Sequence, residues 1–147
     1  MSSRVIPWNA TPHPARGLLH LTASLRAIRP RIWRSFVVPE KVPLAHRALD
    51  LGDRFAYTYD MGDEWVVDLV VDGAQDGLSP AWCWCTSGER SGPPVNCGGP
   101  PVFESIAPHL PSAFDSDDRW MRQMVPPEFN PNHFDLETLN KNSARLR

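Results

Sequence analysis

Phe55-Ala56-Tyr57-Thr58-Tyr59, then Asp60-Met61-Gly62-Asp63-Glu64, then Trp65-Val66-Val67-Asp68-Leu69-Val70-Val71: this run decides the fold. Phe55, Tyr57 and Tyr59 alternate with Ala56 and Thr58, the period of two that marks a strand with unlike faces. Met61 to Glu64 turns the chain, with Gly62 free to take a positive φ. Trp65 to Val71 is the returning strand, with Asp68 and Asp72 on the face opposite Trp65, Val67, Leu69 and Val71. The segment therefore reads as a β-hairpin.

Working upstream, Leu19, Leu21, Ala23 and Leu25 alternate with His20, Thr22, Ser24 and Arg26, a second half-buried strand. Arg29-Pro30-Arg31 interrupts it, because proline has no N–H for a ladder. Ile32 to Val38 returns and stops at Pro39. Trp33 and Val37 fall on one side of that strand and Ile32, Phe36 and Val38 on the other, which leaves its inward face unassigned. Leu44 to Leu51 can form one or two helical turns, and Gly52-Asp53 a turn. The two hairpins are read as back-to-back ribbons.

Downstream, residues 72–80 read as loop and Ala81 to Cys85 as a short extended piece. Pro101 suits a first helical position before a helix over Val102–Ala107, which Pro108 stops. Asp115-Ser116-Asp117 can cap a helix over Asp118–Met124, ended by Pro126-Pro127. Asp135 can cap a last helix from Leu136 to about Leu146, with Leu136, Leu139 and Leu146 inward. The fold class is α+β: an antiparallel sheet built from two hairpins, with three short helices in the C-terminal half. Length and composition (147 residues, 41% hydrophobic, 22% charged) are those of one globular domain, 18–147, behind an extended arm, 1–17.

Function classes narrow next. No apolar run approaches a membrane span, and Met1 to Gly17 lacks the apolar core of a secretory signal. Three cysteines leave one unpaired within the chain, which fits reduced thiols in the cytoplasm. Charge is lopsided: residues 1–50 carry eight Arg and Lys against Glu40 and Asp50, a net of +6, and the remainder nets −8. A basic first half can serve nucleic acid, but a net of −2 does not favour phosphate neutralisation, and packing of the two halves against each other is the simpler account.

Four groups of residues can carry chemistry. Cys83, Cys85 and Cys97 supply three of the four ligands of a structural zinc, with His109 or His133 as a fourth; Cys-x-Cys lacks the tight turn of Cys-x-x-Cys, and buried free thiols are the plainer reading. Asp60, Asp63 and Glu64 crowd one turn, as an acid/base or cation site needs, although turn chemistry alone explains Asp and Gly there. Gly98-Gly99 before a helix can cradle an anion, with Glu89 and Arg90 nearby in sequence and Arg90 adding charge; no phosphate-loop Lys-Ser/Thr follows. Trp82 and Trp84 share a face and are candidates for an exposed patch, whereas Trp33 and Trp65 read as core.

Taken in order, Ile32-Trp33-Arg34 with Val38-Pro39, Gly52-Asp53-Arg54-Phe55, Tyr59 to Trp65, Gly88-Glu89-Arg90, Pro93-Pro94, Cys97-Gly98-Gly99-Pro100 and Phe134-Asp135-Leu136-Glu137 resemble the plasmid pRiA4b ORF-3-like family. Its members are also described as passenger proteins of bacterial insertion elements. The resemblance covers roughly residues 18–147. It implies an α+β fold and no established reaction. Relative to the family pattern, a region after the first hairpin is shortened, Val67 stands where a His is frequent, and Gly92 stands where a Cys is frequent.

Three functions follow in order. The first is a non-enzymatic accessory or binding module, with a protein partner or a second copy, contacting through Trp82–Pro101 beside Asp60–Glu64. The second is a zinc-supported nucleic-acid-binding protein. The third is a small hydrolase or transferase using Asp60, Asp63 or Glu89; no Ser/His/Asp or Cys/His set fixes a nucleophile.

Overall fold

The computed structural model describes residues 17–40, 49–60, 62–76, 83–110 and 123–145. Strands β1 (Gly17–Leu25) and β2 (Trp33–Pro39) form the first hairpin, and β3 (Arg54–Tyr59) and β4 (Trp65–Asp76) the second. A fifth strand, β5 (Trp84–Glu89), follows, then α1 (Gly99–Ile106), a 3-10 turn over Ala107–His109, and α2 (Leu136–Ala144). The architecture is α+β, with one five-stranded sheet in the order β3-β4-β1-β2-β5 and every neighbouring pair antiparallel.

The two ribbons do not stack back to back; they join edge to edge. The reason is the length of β4. Trp65 to Val70 pair with β3, while Val67 to Asp76 pair with β1, so one strand satisfies the backbone of both hairpins. Asp72-Gly73, expected in a loop, lies inside this long strand. The register slips between His20 and Leu21, leaving Asp72 as the extra residue of a β-bulge. Gly73 sits opposite His20, where an added Cβ would be 3.0 Å from the His20 Cβ, so the glycine serves close approach rather than a turn. β5 likewise runs past the expected Ala81–Cys85, because Gly88 lets it pass beside β2. A Cβ there would lie 2.8 Å from the Trp33 carbonyl.

One face of the sheet is the core face. Leu19, Leu21 and Val71 pack with Val38 and Phe36; Leu25, Ile28, Ile32 and Trp65 pack with Cys97, Phe103 and Ala107. A third cluster, Ile106, Leu110 and Val125, joins the end of α1 to the C-terminal segment. Rings run through this core as a ladder: Tyr57 on Tyr59, Tyr59 on Trp65, then edge contacts from Trp65 to Phe103 and from Phe103 to Phe129, with centroids 6.2–6.5 Å apart. Burying such side chains stabilises the fold by about 1.5–3 kcal/mol each. The opposite face is mixed: Thr22 bonds Ser35 and Asp72, Arg26 pairs with Asp68, and Val37, Val66 and Val70 lie half-buried among them. Trp33 is a correction. It is half-buried on this second face, since Arg34, Phe36 and Val38 take the inward positions of β2.

The described residues hold two α-helices, not three. The expected helix over 118–124 and the turns over 44–51 lie largely outside the described residues. α1 starts three residues earlier than Val102, with two prolines in its first turn, and Pro108 falls in the 3-10 turn that closes it. α2 begins as expected: Asp135 accepts the Thr138 N–H at 2.9 Å and the Thr138 hydroxyl at 2.7 Å. Those bonds hold the Asp135 carboxyl below the usual carboxylate range.

Candidate functional site

The acidic turn closes on itself first. The Asp60 Oδ1 accepts N–H bonds from Gly62 (3.2 Å) and Asp63 (3.3 Å), and the Glu64 N–H donates to the Asp60 carbonyl at 2.8 Å. Asp60 and Glu64 both take positive φ, 52° and 54°, at the two ends of the turn. The turn then docks on the start of α1. The Asp63 Oδ2 accepts the Gly98 N–H at 3.3 Å. A Cβ on Gly99 would lie 2.5 Å from the Asp63 carbonyl oxygen, so only glycine lets the two backbones meet, and its φ of +79° favours glycine again. The chain's own Asp63 carboxylate thus lies at the start of α1, where a helix N-terminus favours negative charge. Cys97, fully buried beneath this contact, has its thiol pushed up by burial and by Asp63. Burial, then Cys97, Asp60 and Asp63, raise Tyr59 as well.

Arg90 is not beside that helix start. Its Nη1 donates to the Pro30 carbonyl at 2.8 Å and its Nε to the Pro131 carbonyl at 3.3 Å. Arg34, across the strand, donates through Nη1 to the carbonyls of Trp33 (2.7 Å) and Glu89 (2.8 Å) and through Nη2 to that of Arg90. Its guanidinium lies 4.0 Å above the Phe134 ring. Desolvation lowers its pKa. The Ser91 hydroxyl donates toward the carbonyls of Asn130 and His133, each at 2.8 Å. Together these side chains tie β2 and the end of β5 to the segment before α2. Gly88 leaves the room: a Cβ there would meet the Arg34 Cδ at 2.6 Å and Phe134 at 3.0 Å.

The cysteines separate. Cys97 belongs to the α1 cluster, whereas Cys85 is buried on β5, at the far edge of the sheet from the acidic turn. Cys83 is exposed just ahead of β5. All three thiols are free, and burial raises those of Cys85 and Cys97. Among the described residues no group of three or more His, Cys, Asp or Glu gathers as a metal site requires. Trp82 lies outside the described residues.

What sequence reasoning missed is Asn140. It is 5% exposed, and its side-chain amide faces the free edge of β5: Oδ1 accepts the Cys85 N–H at 2.9 Å and Nδ2 donates to the Cys85 carbonyl at 2.8 Å. The amide stands in for one residue of a neighbouring strand. Beside it, β5 and α2 enclose an open, mostly apolar groove of about 530 Å³, walled by Trp84, Leu136, Asn140, Lys141 and Ala144. The Trp84 residue is 47% exposed. Glu137, the one carboxylate on this groove among the described residues, pairs with Lys141. Asp60, Asp63 and Glu89 do not line it.

The expected site therefore divides in three. Asp60, Asp63, Glu64, Gly98 and Gly99 come together as an internal latch; Trp84 stands at the opposite edge of the sheet with the groove; Glu89 and Arg90 belong to the knot between them. No helix among the described residues is long and apolar enough to cross a membrane.

Comparison with known proteins agrees with this architecture. A solved protein of unknown function, MM3350 from Methanosarcina mazei Go1, is similar in fold, with a TM-score of 0.63 at 20% identity over 85% of this chain and 98% of that one. A search of curated proteins gives no match. The sequence model of the plasmid pRiA4b ORF-3-like protein family matches residues 40–138, two-thirds of the chain, including the acidic turn, the Cys-Gly-Gly segment and the start of α2. The chain belongs to the plasmid pRiA4b ORF-3-like family.

Proposed function

We propose that this protein is a non-catalytic binding module that holds a protein partner through the groove between β5 and α2. One observation carries the reading. Asp60, Asp63 and Arg90 are bound to the chain's own backbone, while Trp84 stands half-exposed over an apolar groove. An apolar cleft with an aromatic wall and a paired charge on its rim suits a bulky apolar side chain of a polypeptide. The three free thiols favour a reducing, cytoplasmic setting. The zinc-supported alternative draws no support from the separation of Cys85 and Cys97.

The test is photo-crosslinking in cells with a benzophenone amino acid at position 84, with position 128, exposed beyond the third core cluster, as control. The reading expects a discrete protein adduct from position 84 that is absent from position 128 and lost when Leu136→Lys alters the groove wall. Identical adducts from both positions, or none from either, contradict it.

A further inference from the structure

The sheet has two edges, and the fold treats them differently. On β5 the Asn140 amide pairs with the Cys85 backbone and α2 lies alongside. On β3, among the described residues, β4 is the sole strand partner. Bare edges invite pairing, and chains usually blunt them with proline, a bulge, lysine or an inward charge. Arg54-Phe55-Ala56-Tyr57-Thr58-Tyr59 has no proline or lysine, pairs with β4 without a register shift, and carries its one charge at its first residue. Tyr57, at its middle, is 60% exposed.

We propose that β3 pairs antiparallel with β3 of a second copy, across a two-fold axis at Tyr57, joining two five-stranded sheets into one of ten. Antiparallel partners directly opposite share a face, so the register must place odd positions against odd. Centred on Tyr57, it sets Tyr57 against Tyr57, Phe55 against Tyr59, Ala56 against Thr58, and Arg54 against Asp60, with each pair repeated by symmetry. The register thus matches opposite charges at both ends and aromatic rings between them, and the Tyr57–Tyr59–Trp65 ladder of each copy would continue into the other. A single edge of six residues makes a small interface, which fits a concentration-dependent dimer.

Sedimentation velocity between about 1 and 500 μM, a range spanning weak association, tests this on the full chain. The expected result is a mass that climbs from one monomer toward two. Tyr57→Lys sets two like charges against each other at the axis and should hold the protein monomeric throughout, with an unchanged far-UV spectrum. Arg54→Glu places a like charge against Asp60 and should weaken the dimer about tenfold, less so in high salt. Trp84→Ala, on the other edge, should leave association untouched. A monomer at every concentration overturns the proposal, as does a dimer that survives Tyr57→Lys or one that Trp84→Ala dissolves. The crosslinking test of the groove is read at position 84 and is independent of all three outcomes.

Discussion

Replacing Gly99 by alanine asks the most of the latch between the acidic turn and α1. Two costs act there. The φ of +79° is a conformation that alanine adopts at a cost of about 1–2 kcal/mol. The new methyl would also lie 2.5 Å from the Asp63 carbonyl oxygen, a backbone atom that cannot swing aside, and such overpacking costs about 1–3 kcal/mol more. The sum is about 3 kcal/mol, which for a chain of this size lowers Tm by roughly 10 °C. Two other glycines separate the terms. Gly52 has a φ of +90° with nothing within 4 Å of its added Cβ, so Gly52→Ala should show the conformational cost alone, about 1–2 kcal/mol. Gly92 has neither a positive φ nor a neighbour, and Gly92→Ala should be neutral or slightly stabilising. Urea unfolding of the three variants reads the differences directly. Equal losses in Gly99→Ala and Gly52→Ala would refute the close approach of the turn to α1.

Further expectations concern other parts of the molecule. Asn140→Leu leaves the Cys85 N–H and carbonyl unpaired and should cost about 2–3 kcal/mol in urea unfolding, with faster amide exchange at Cys85; unchanged exchange there would dismiss the amide as an edge cap. Cys83 is exposed while Cys85 and Cys97 are buried with their thiols raised by burial, so iodoacetamide near neutral pH should label Cys83 and leave Cys85 and Cys97 unlabelled in the folded protein, as mass spectrometry of digests would show; rapid labelling of Cys97 would contradict its burial. Hydrogen bonding from Arg26 lowers Asp68, and bonding from Thr138 lowers Asp135. Both groups therefore add stability above about pH 4 that is lost as the pH falls through their folded-state values. The D68N/D135N double variant should show a flatter fall in unfolding midpoint through this acid range than the parent; parallel curves would refute it.

The sequence is legible where structure is local. Alternation over Leu19–Arg26 and Phe55–Val71, a break at Pro30, and Asp135 before a helical pattern are signals a few residues long, and the strands, the first turn and the cap stand where they point. Non-local choices leave no such mark. The pairing of β1 with β4 runs on through a one-residue bulge at Asp72, which reads as a turn signal because a bulge and a turn use the same residues. Asn140 sits in a polar helix where asparagine is ordinarily solvated, and its burial follows only once β5 lies beside α2. Gly98-Gly99 before a helix carries no sign in the sequence of the carboxylate that meets the Gly98 N–H, because Asp63 lies 35 residues upstream. The candidate site divided for the same reason: Cys83 to Pro101 is continuous in sequence, yet β5 carries its first part to one edge of the sheet while α1 returns its last part toward the other.

The Gly98 amide tests the central claim, that the two most distinctive segments serve each other rather than a ligand. Its hydrogen exchange would be followed by NMR in the parent and in Asp63→Ala, with inorganic phosphate titrated into the parent. A slow amide that Asp63→Ala makes fast, with no phosphate-induced shift in the parent, is the predicted result; a fast amide that shifts and slows on adding phosphate would contradict it and return Gly98-Gly99 to the role of an anion site.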